Sequence, residues 1–285
     1  MNTRVASTLV KTLVATVGII SVTGQAANAG VLRNGTTINT FMECINDGIG
    51  LVVGSSPAQN GWYYATDSSN DGSGGSAYEI YGMGIKETES SIMVALRANM
   101  PLVGTAYSGA ADRNIGWGDM FFNFSGLNFM DAMNQGQLFG VRFAGTNDSG
   151  VSQVGLYSGV TAKSVTAENS GYASINAYNS SMGSNASLGD LARDTNYFDR
   201  TRSLNEIASG TFLSGINFLN NTQLTAAGFN LSKFAGSETI AFSIDKSSLP
   251  GASIPEPSAV LGLAAIGASV FASKLRKKNA KSQEA

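Results

Sequence analysis

Several segments of the chain alternate two residue sets with a period of two, the signature of strands whose two faces meet different surroundings. Ile92, Val94 and Leu96 alternate with Ser91, Met93 and Ala95, and Phe139, Val141 and Phe143 alternate with Leu138, Gly140 and Arg142. Ile240, Phe242 and Ile244 alternate with Thr239, Ala241, Ser243 and Asp245. Tyr78 to Lys86 and Gly118 to Phe124 are aromatic and apolar enough for central strands. The polar run Lys86-Glu87-Thr88-Glu89-Ser90 joins two such segments, which predicts a hairpin over 78–98. Helical expectations are few: 128–134, 188–193 and 204–208, the last with Ser203 and Glu206 at capping-box spacing. Glu168 to Ser187, rich in Ser, Asn, Gly and Tyr, reads as a polar surface stretch, either extended strand or long loop. No fixed-period repeat and no long linker interrupts residues 30–251. The pattern therefore predicts one all-β body, a single antiparallel β-sandwich of jelly-roll-like winding with a few short helices.

Composition narrows the chemistry. The 285 residues include no histidine and one cysteine, Cys44. Without histidine there is no Ser-His-Asp triad, no His-ligated zinc and no His-ligated haem. One cysteine makes no internal disulfide, no four-cysteine zinc site and no iron–sulfur cluster. In Phe41-Met42-Glu43-Cys44-Ile45 the thiol alternates with apolar residues, which predicts a buried structural cysteine. Carboxylate chemistry, oxygen-ligated metal, or no chemistry remains.

Charge is unevenly placed. The chain holds 18 basic and 20 acidic residues; setting aside the seven basic and two acidic residues at its ends leaves 11 and 18 between Gly30 and Pro255, a net of −7. An acidic body disfavours nucleic acid as a partner, since phosphates call for a basic stripe. Residues 1–29 read as a signal peptide: Arg4 and Lys11 precede an apolar run, and Ala27-Asn28-Ala29 has the small-x-small form that signal peptidase accepts. An uncleaved anchor helix is the competing reading. At the other end, 252–285 holds Pro255-Glu256-Pro257, an uncharged helix candidate over 258–273, and Lys274, Arg276, Lys277 and Lys278. The basic cluster predicts a cytoplasmic end, with the body outside the inner membrane until processing.

Ile254-Pro255-Glu256-Pro257-Ser258, the Ala/Leu/Gly-rich helix and the basic tail resemble the PEP-CTERM sorting signal of bacterial exosortase substrates. The resemblance implies an inner-membrane intermediate, cleavage near Pro255-Glu256-Pro257 by an exosortase, and delivery to the cell surface or beyond. An ordinary tail anchor is the competing reading. Gly61-Trp62-Tyr63-Tyr64-Ala65 with Asp67, Asn70-Asp71-Gly72, Tyr78 to Met83 and Trp117 to Phe122 are similar to a family of exosortase-dependent surface proteins, which implies a class and no activity.

Within the body, Asp67, Ser69 and Asp71 occupy positions 1, 3 and 5 of a calcium-loop pattern, with Gly72 at position 6 and Glu79 one place beyond the twelfth-position glutamate. Alternating oxygen side chains let a tight loop converge on a hard cation; the same residues also make ordinary polar turns. Trp62 and Trp117 are candidates for a sugar-stacking platform or for the core. Asp112 and Asp119 are scattered acids beside an aromatic, and Asp190, Asp194 and Asp199 share a segment with Arg193, Arg200 and Arg202, which predicts surface ion pairs. These observations lead to an exported, exosortase-sorted surface or matrix protein, structural and not an enzyme, without a cofactor unless calcium binds. Its expected partners are signal peptidase, exosortase and extracellular polysaccharide. The alternatives are a calcium-assisted carbohydrate binder or adhesin, and a carboxylate-based polysaccharide hydrolase with two acids facing across a groove.

Overall fold

A computed structural model describes residues 38–44 and 46–249. The signal peptide, Pro255-Glu256-Pro257, the 258–273 helix and the basic tail lie outside the described residues, as does the side chain of Cys44. In chain order the strands are β1 (Asn39–Cys44), β2 (Asp47–Val52), β3 (Trp62–Thr66), β4 (Ile80–Glu87), β5 (Ser91–Ala98), β6 (Thr105–Ala106), β7 (Asn114–Ile115), β8 (Met120–Asn123), β9 (Leu138–Arg142), β10 (Gly155–Lys163), β11 (Glu206–Ser214), β12 (Asn217–Phe218) and β13 (Glu238–Asp245). Three short helices interrupt them: α1 (Phe129–Asn134), α2 (Ile175–Met182) and α3 (Asn221–Ala226). None of the described helices is long and apolar enough to cross a membrane.

The protein is all-β, built on antiparallel ladders. One sheet has the order β11-β10-β9-β8-β1-β2 and the other β12-β13-β5-β4-β3, with β6 and β7 as a separate small ladder. The expected hairpin is β4–β5, which pairs Ile85 with Val94 and Met83 with Leu96. Its turn is closed by Thr88, whose Oγ1 accepts from Ser91 N at 2.9 Å. The winding corrects the jelly-roll expectation. A jelly roll sends successive strands to alternate sheets, whereas here β3-β4-β5 and β8-β9-β10-β11 are successive neighbours within one sheet, although only β4 and β5 are joined by a short turn.

The period-two patterns sort side chains as the pleat demands. Ile92, Val94, Leu96, Ile240, Phe242 and Ile244 from one sheet meet Met42, Leu51, Met120, Phe122, Val141 and Leu156 from the other in a shared core. Each such side chain removed from water contributes about 1.5–3 kcal/mol before the cost of ordering it. The outer faces are covered too. Phe41, Phe121, Phe129 and Ile207 form a second cluster, and Trp62, Ala95, Leu224 and Phe229 a third. This is why β8 and β9 are buried along their whole length instead of on alternate residues.

Three local expectations change. Segment 204–208 is not helical: Glu206 opens β11 opposite Lys163, and Ser203 Oγ donates to Tyr172 O instead of capping a helix. Residues 188–193 form bridges and turns, with Gly50 N donating to Leu188 O and Asp190 N to Gly50 O along the edge of β2. The polar 168–187 stretch contains α2, capped by Ser174, whose Oγ accepts from Ala177 N at 3.0 Å. Burial of Ile175 and Tyr178 supplies the stability that this Asn/Ser-rich helix lacks in propensity.

Candidate metal centre

At one end of the two sheets, four acids from two parts of the chain meet. Asp47 opens β2, while Asp67, Asp71 and Glu79 lie on the connection between β3 and β4. Each spends one carboxylate oxygen on a backbone N–H. Asp47 Oδ2 accepts from Ile80 N at 2.8 Å, Asp67 Oδ1 from Ser68 N at 2.8 Å, Asp71 Oδ1 from Ser73 N at 2.9 Å, and Glu79 Oε2 from Gly75 N at 2.7 Å. Each leaves its other oxygen buried and reached by no N–H of the chain: Asp47 Oδ1, Asp67 Oδ2, Asp71 Oδ2 and Glu79 Oε1, with Ser73 Oγ beside them. One oxygen each from Asp47, Asp71 and Glu79 lie within 4.8 Å of one another.

Backbone geometry builds this arrangement. Gly75 takes φ +74, a region an L side chain rarely adopts, and this turn presents its N–H to Glu79. Gly72 passes so close to the β1–β2 turn that a Cβ there would stand 2.5 Å from Asn46 O. Its role is close approach of two loops, bringing Asp71 towards Asp47, and not the sharp turn of a self-contained calcium loop. Ser69 is exposed and takes no part. Of the predicted loop, the structure places Asp71 and the outlying Glu79 with Asp47 of the other sheet, with Asp67 alongside and Ser69 exposed.

The electrostatics follow from burial. Asp47 is 2% exposed and Glu79 0%. Burial, then the charge of Asp67 and a side-chain hydrogen bond with it, then the charge of Asp71, raises the Asp47 pKa well above the carboxylate range, opposed by the Ile80 N–H. Burial pushes Asp67 up to about 8. Glu79 is raised for the same first reason, against the Gly75 N–H. Tyr178 of α2 is buried beside this group, and burial, then the charges of Asp71, Asp47 and Asp67 and a hydrogen bond with Asp71, raises its pKa. A small cavity lined by Glu43, Asp47, Tyr178 and Ser203 adjoins the group; burial there pushes Glu43 up to about 8, opposed by a hydrogen bond with Ser203. Among the described residues no Lys or Arg forms an ion pair with any of these acids. Such a group can share protons or hold a hard cation.

Compared with family models, curated proteins and solved structures, the chain matches none.

A second acid pair shows the opposite condition. Asp119, 0% exposed, accepts from Asn147 Nδ2 at 2.8 Å, Ser149 Oγ at 2.6 Å and Ile207 N at 2.8 Å. The same Asn147 amide donates to Glu206 Oε2 at 3.1 Å, and Arg142 Nε holds Asn147 Oδ1 at 2.9 Å. Burial, then Asp119, raises Glu206 well above its ordinary pKa. Two acids bridged by one amide inside the fold do not match a glycosidase pair, which stands about 5–10 Å apart across a cleft open to sugar.

The remaining candidates have structural places. Trp62 and Trp117 are fully buried, their Nε1 atoms donating to Ala227 O at 3.0 Å and Pro101 O at 2.9 Å. Neither offers a ring face to a sugar, which corrects the platform reading. Asp112 accepts from Asn114 N in its own turn. Of the Asp/Arg segment, Asp199 and Arg202 pair at 3.0 Å, while Asp190 accepts from Ser55 Oγ at 2.8 Å and Arg193 donates to Gly183 O.

Proposed function

We propose that the chain is an exported cell-surface or extracellular-matrix protein sorted by an exosortase, and that its body is a structural β-sandwich without enzymatic activity. The observation that carries the structural half is the direction of the acids. In a body without histidine, the six acids at Asp47, Asp67, Asp71, Glu79, Asp119 and Glu206 are buried, and Asp47, Asp119 and Glu206 hydrogen-bond to distant segments of the chain. The address half rests on the sequence, where Ala27-Asn28-Ala29 and Pro255-Glu256-Pro257 with its helix and basic tail form a complete export and sorting set. Signal peptidase and exosortase are the partners this reading requires, and an extracellular polysaccharide is the matrix it fits. Replacing Pro255-Glu256-Pro257 by alanines and fractionating the cells tests it. The variant should stay in the inner membrane, and unchanged release would contradict the sorting reading.

The acid oxygens that no N–H reaches favour one second reading, a calcium-assisted carbohydrate binder or adhesin. Burial of both tryptophans argues against sugar stacking at those positions. Calcium-dependent retention on a polysaccharide column would favour it over the purely structural role.

A further inference from the structure

We infer that Asp47, Asp71 and Glu79, with Asp67 and Ser73 beside them, form a calcium site that clasps β2 of one sheet to the β3–β4 connection of the other. Three observations converge on it. The first is orientation: in all four acids one oxygen is fixed by a backbone N–H, so the other is aimed before any ligand arrives. The second is the lack of N–H donors: five buried oxygens share one neighbourhood and no N–H of the chain reaches them, the side-chain contacts there being Asp47 with Asp67 and Tyr178 with Asp71. The third is spacing. Calcium binds oxygens at 2.3–2.6 Å, so ligands on opposite sides of the ion stand about 4.6–5.2 Å apart. One carboxylate oxygen from each of Asp47, Asp71 and Glu79 lies within 4.8 Å of the other two.

Chemistry selects the class of ion. Every available ligand is oxygen, which excludes the soft and borderline metals that seek thiolate or imidazole. Magnesium demands a tighter octahedron, at about 2.0–2.1 Å, and keeps several waters, whereas calcium takes carboxylates at varied angles. Elsewhere in the same fold a buried acid is given its cation by the chain: Glu87 Oε1 meets Lys246 Nζ at 2.6 Å, both nearly buried. At the Asp47 group the chain supplies several acids and no such partner among the described residues. An ion there would join residues 47 and 67–79 across the sheet boundary, where Asp47 Oδ2 and Ile80 N already form one link. The inference stands apart from the sorting reading, because fractionation tests sorting and ion binding tests this.

The test uses the full-length chain, stripped with EDTA and titrated with calcium chloride while thermal unfolding is followed. At calcium about a hundredfold above Kd, Tm should rise by roughly 5–10 °C. Asp71→Asn and Glu79→Gln keep the anchoring carbonyl oxygen but weaken the site, so each should lose most of the rise. Native mass spectrometry supplies a second readout, one calcium in the wild type and none in either variant, which holds even for a variant of altered stability. Asp199→Asn, on the surface, should keep the full response. Three results would overturn the inference: no shift by about 10 mM calcium, well above the range of weak extracellular calcium modules; an equal shift in the variants; or an equal shift with magnesium. The first two would leave the acids as proton-sharing groups.

Discussion

The two buried acid groups of this protein differ in what surrounds them, and the difference separates a structural network from a binding site. Around Asp119 and Glu206 the fold delivers donors to order: an amide held by Arg142, a serine hydroxyl and a backbone N–H. Around Asp47, Asp71 and Glu79 it delivers only enough N–H groups to aim the carboxylates, and stops. A buried polar atom without a donor costs free energy, so five together call for a ligand or protons. The same fold shows that it can neutralise an acid where stability asks for it, as Lys246 does for Glu87.

The largest effect is expected at the satisfied group. Asp119→Ala strands the donors of Asn147, Ser149 and Ile207 and should lower unfolding free energy by about 3–5 kcal/mol, read by urea denaturation. In calcium-free buffer, Asp47→Asn should act in the opposite direction. It removes an acid that folding must either bury charged among other acids or protonate, and it keeps an acceptor for Ile80 N, raising stability by about 1–2 kcal/mol. If both substitutions destabilise alike, the contrast between the groups fails.

Titration sharpens the comparison further. The pKa of Glu206 is raised in the fold above its ordinary 4.5, so the folded state holds a proton that the unfolded chain releases. That contribution is fully present below pH 4.5 and is lost as pH rises through the folded pKa, with a slope of at most about 1.4 kcal/mol per pH unit. Glu206→Gln mimics the protonated acid and should flatten this part of the profile in stability measured against pH. The smallest effect belongs to the surface pair: Asp199→Asn should lower Tm only slightly, because solvent screens its bond to Arg202 and an asparagine oxygen can still accept from Thr201.

Much of the fold was legible because period two is a local signal. The alternation at 92–96, 139–143 and 240–244 named the residues that face the shared core, and 128–134 contains α1 behind its Asn128 cap. Misreadings arose where long-range pairing overrode a local pattern. Ser203 and Glu206 have capping-box spacing, but Glu206 is opposite Lys163 in a ladder and beside Asp119. A working capping box, Asn220 with Gln223, lay unread in the sequence at the start of α3. The candidate site divides the same way. Asp67, Asp71 and Glu79 share one loop and left a spacing to find, whereas Asp47 precedes Gly48 in what reads as an ordinary turn. Only the packing of one sheet on the other brings it to the group.

A crystal structure grown in calcium tests the central claim most directly, through anomalous scattering collected at a long wavelength. The account predicts one anomalous peak bonded by Asp47 Oδ1, Asp71 Oδ2 and Glu79 Oε1 at about 2.3–2.6 Å. No peak there, with the carboxyl groups closed on one another in hydrogen-bond contact, would contradict it.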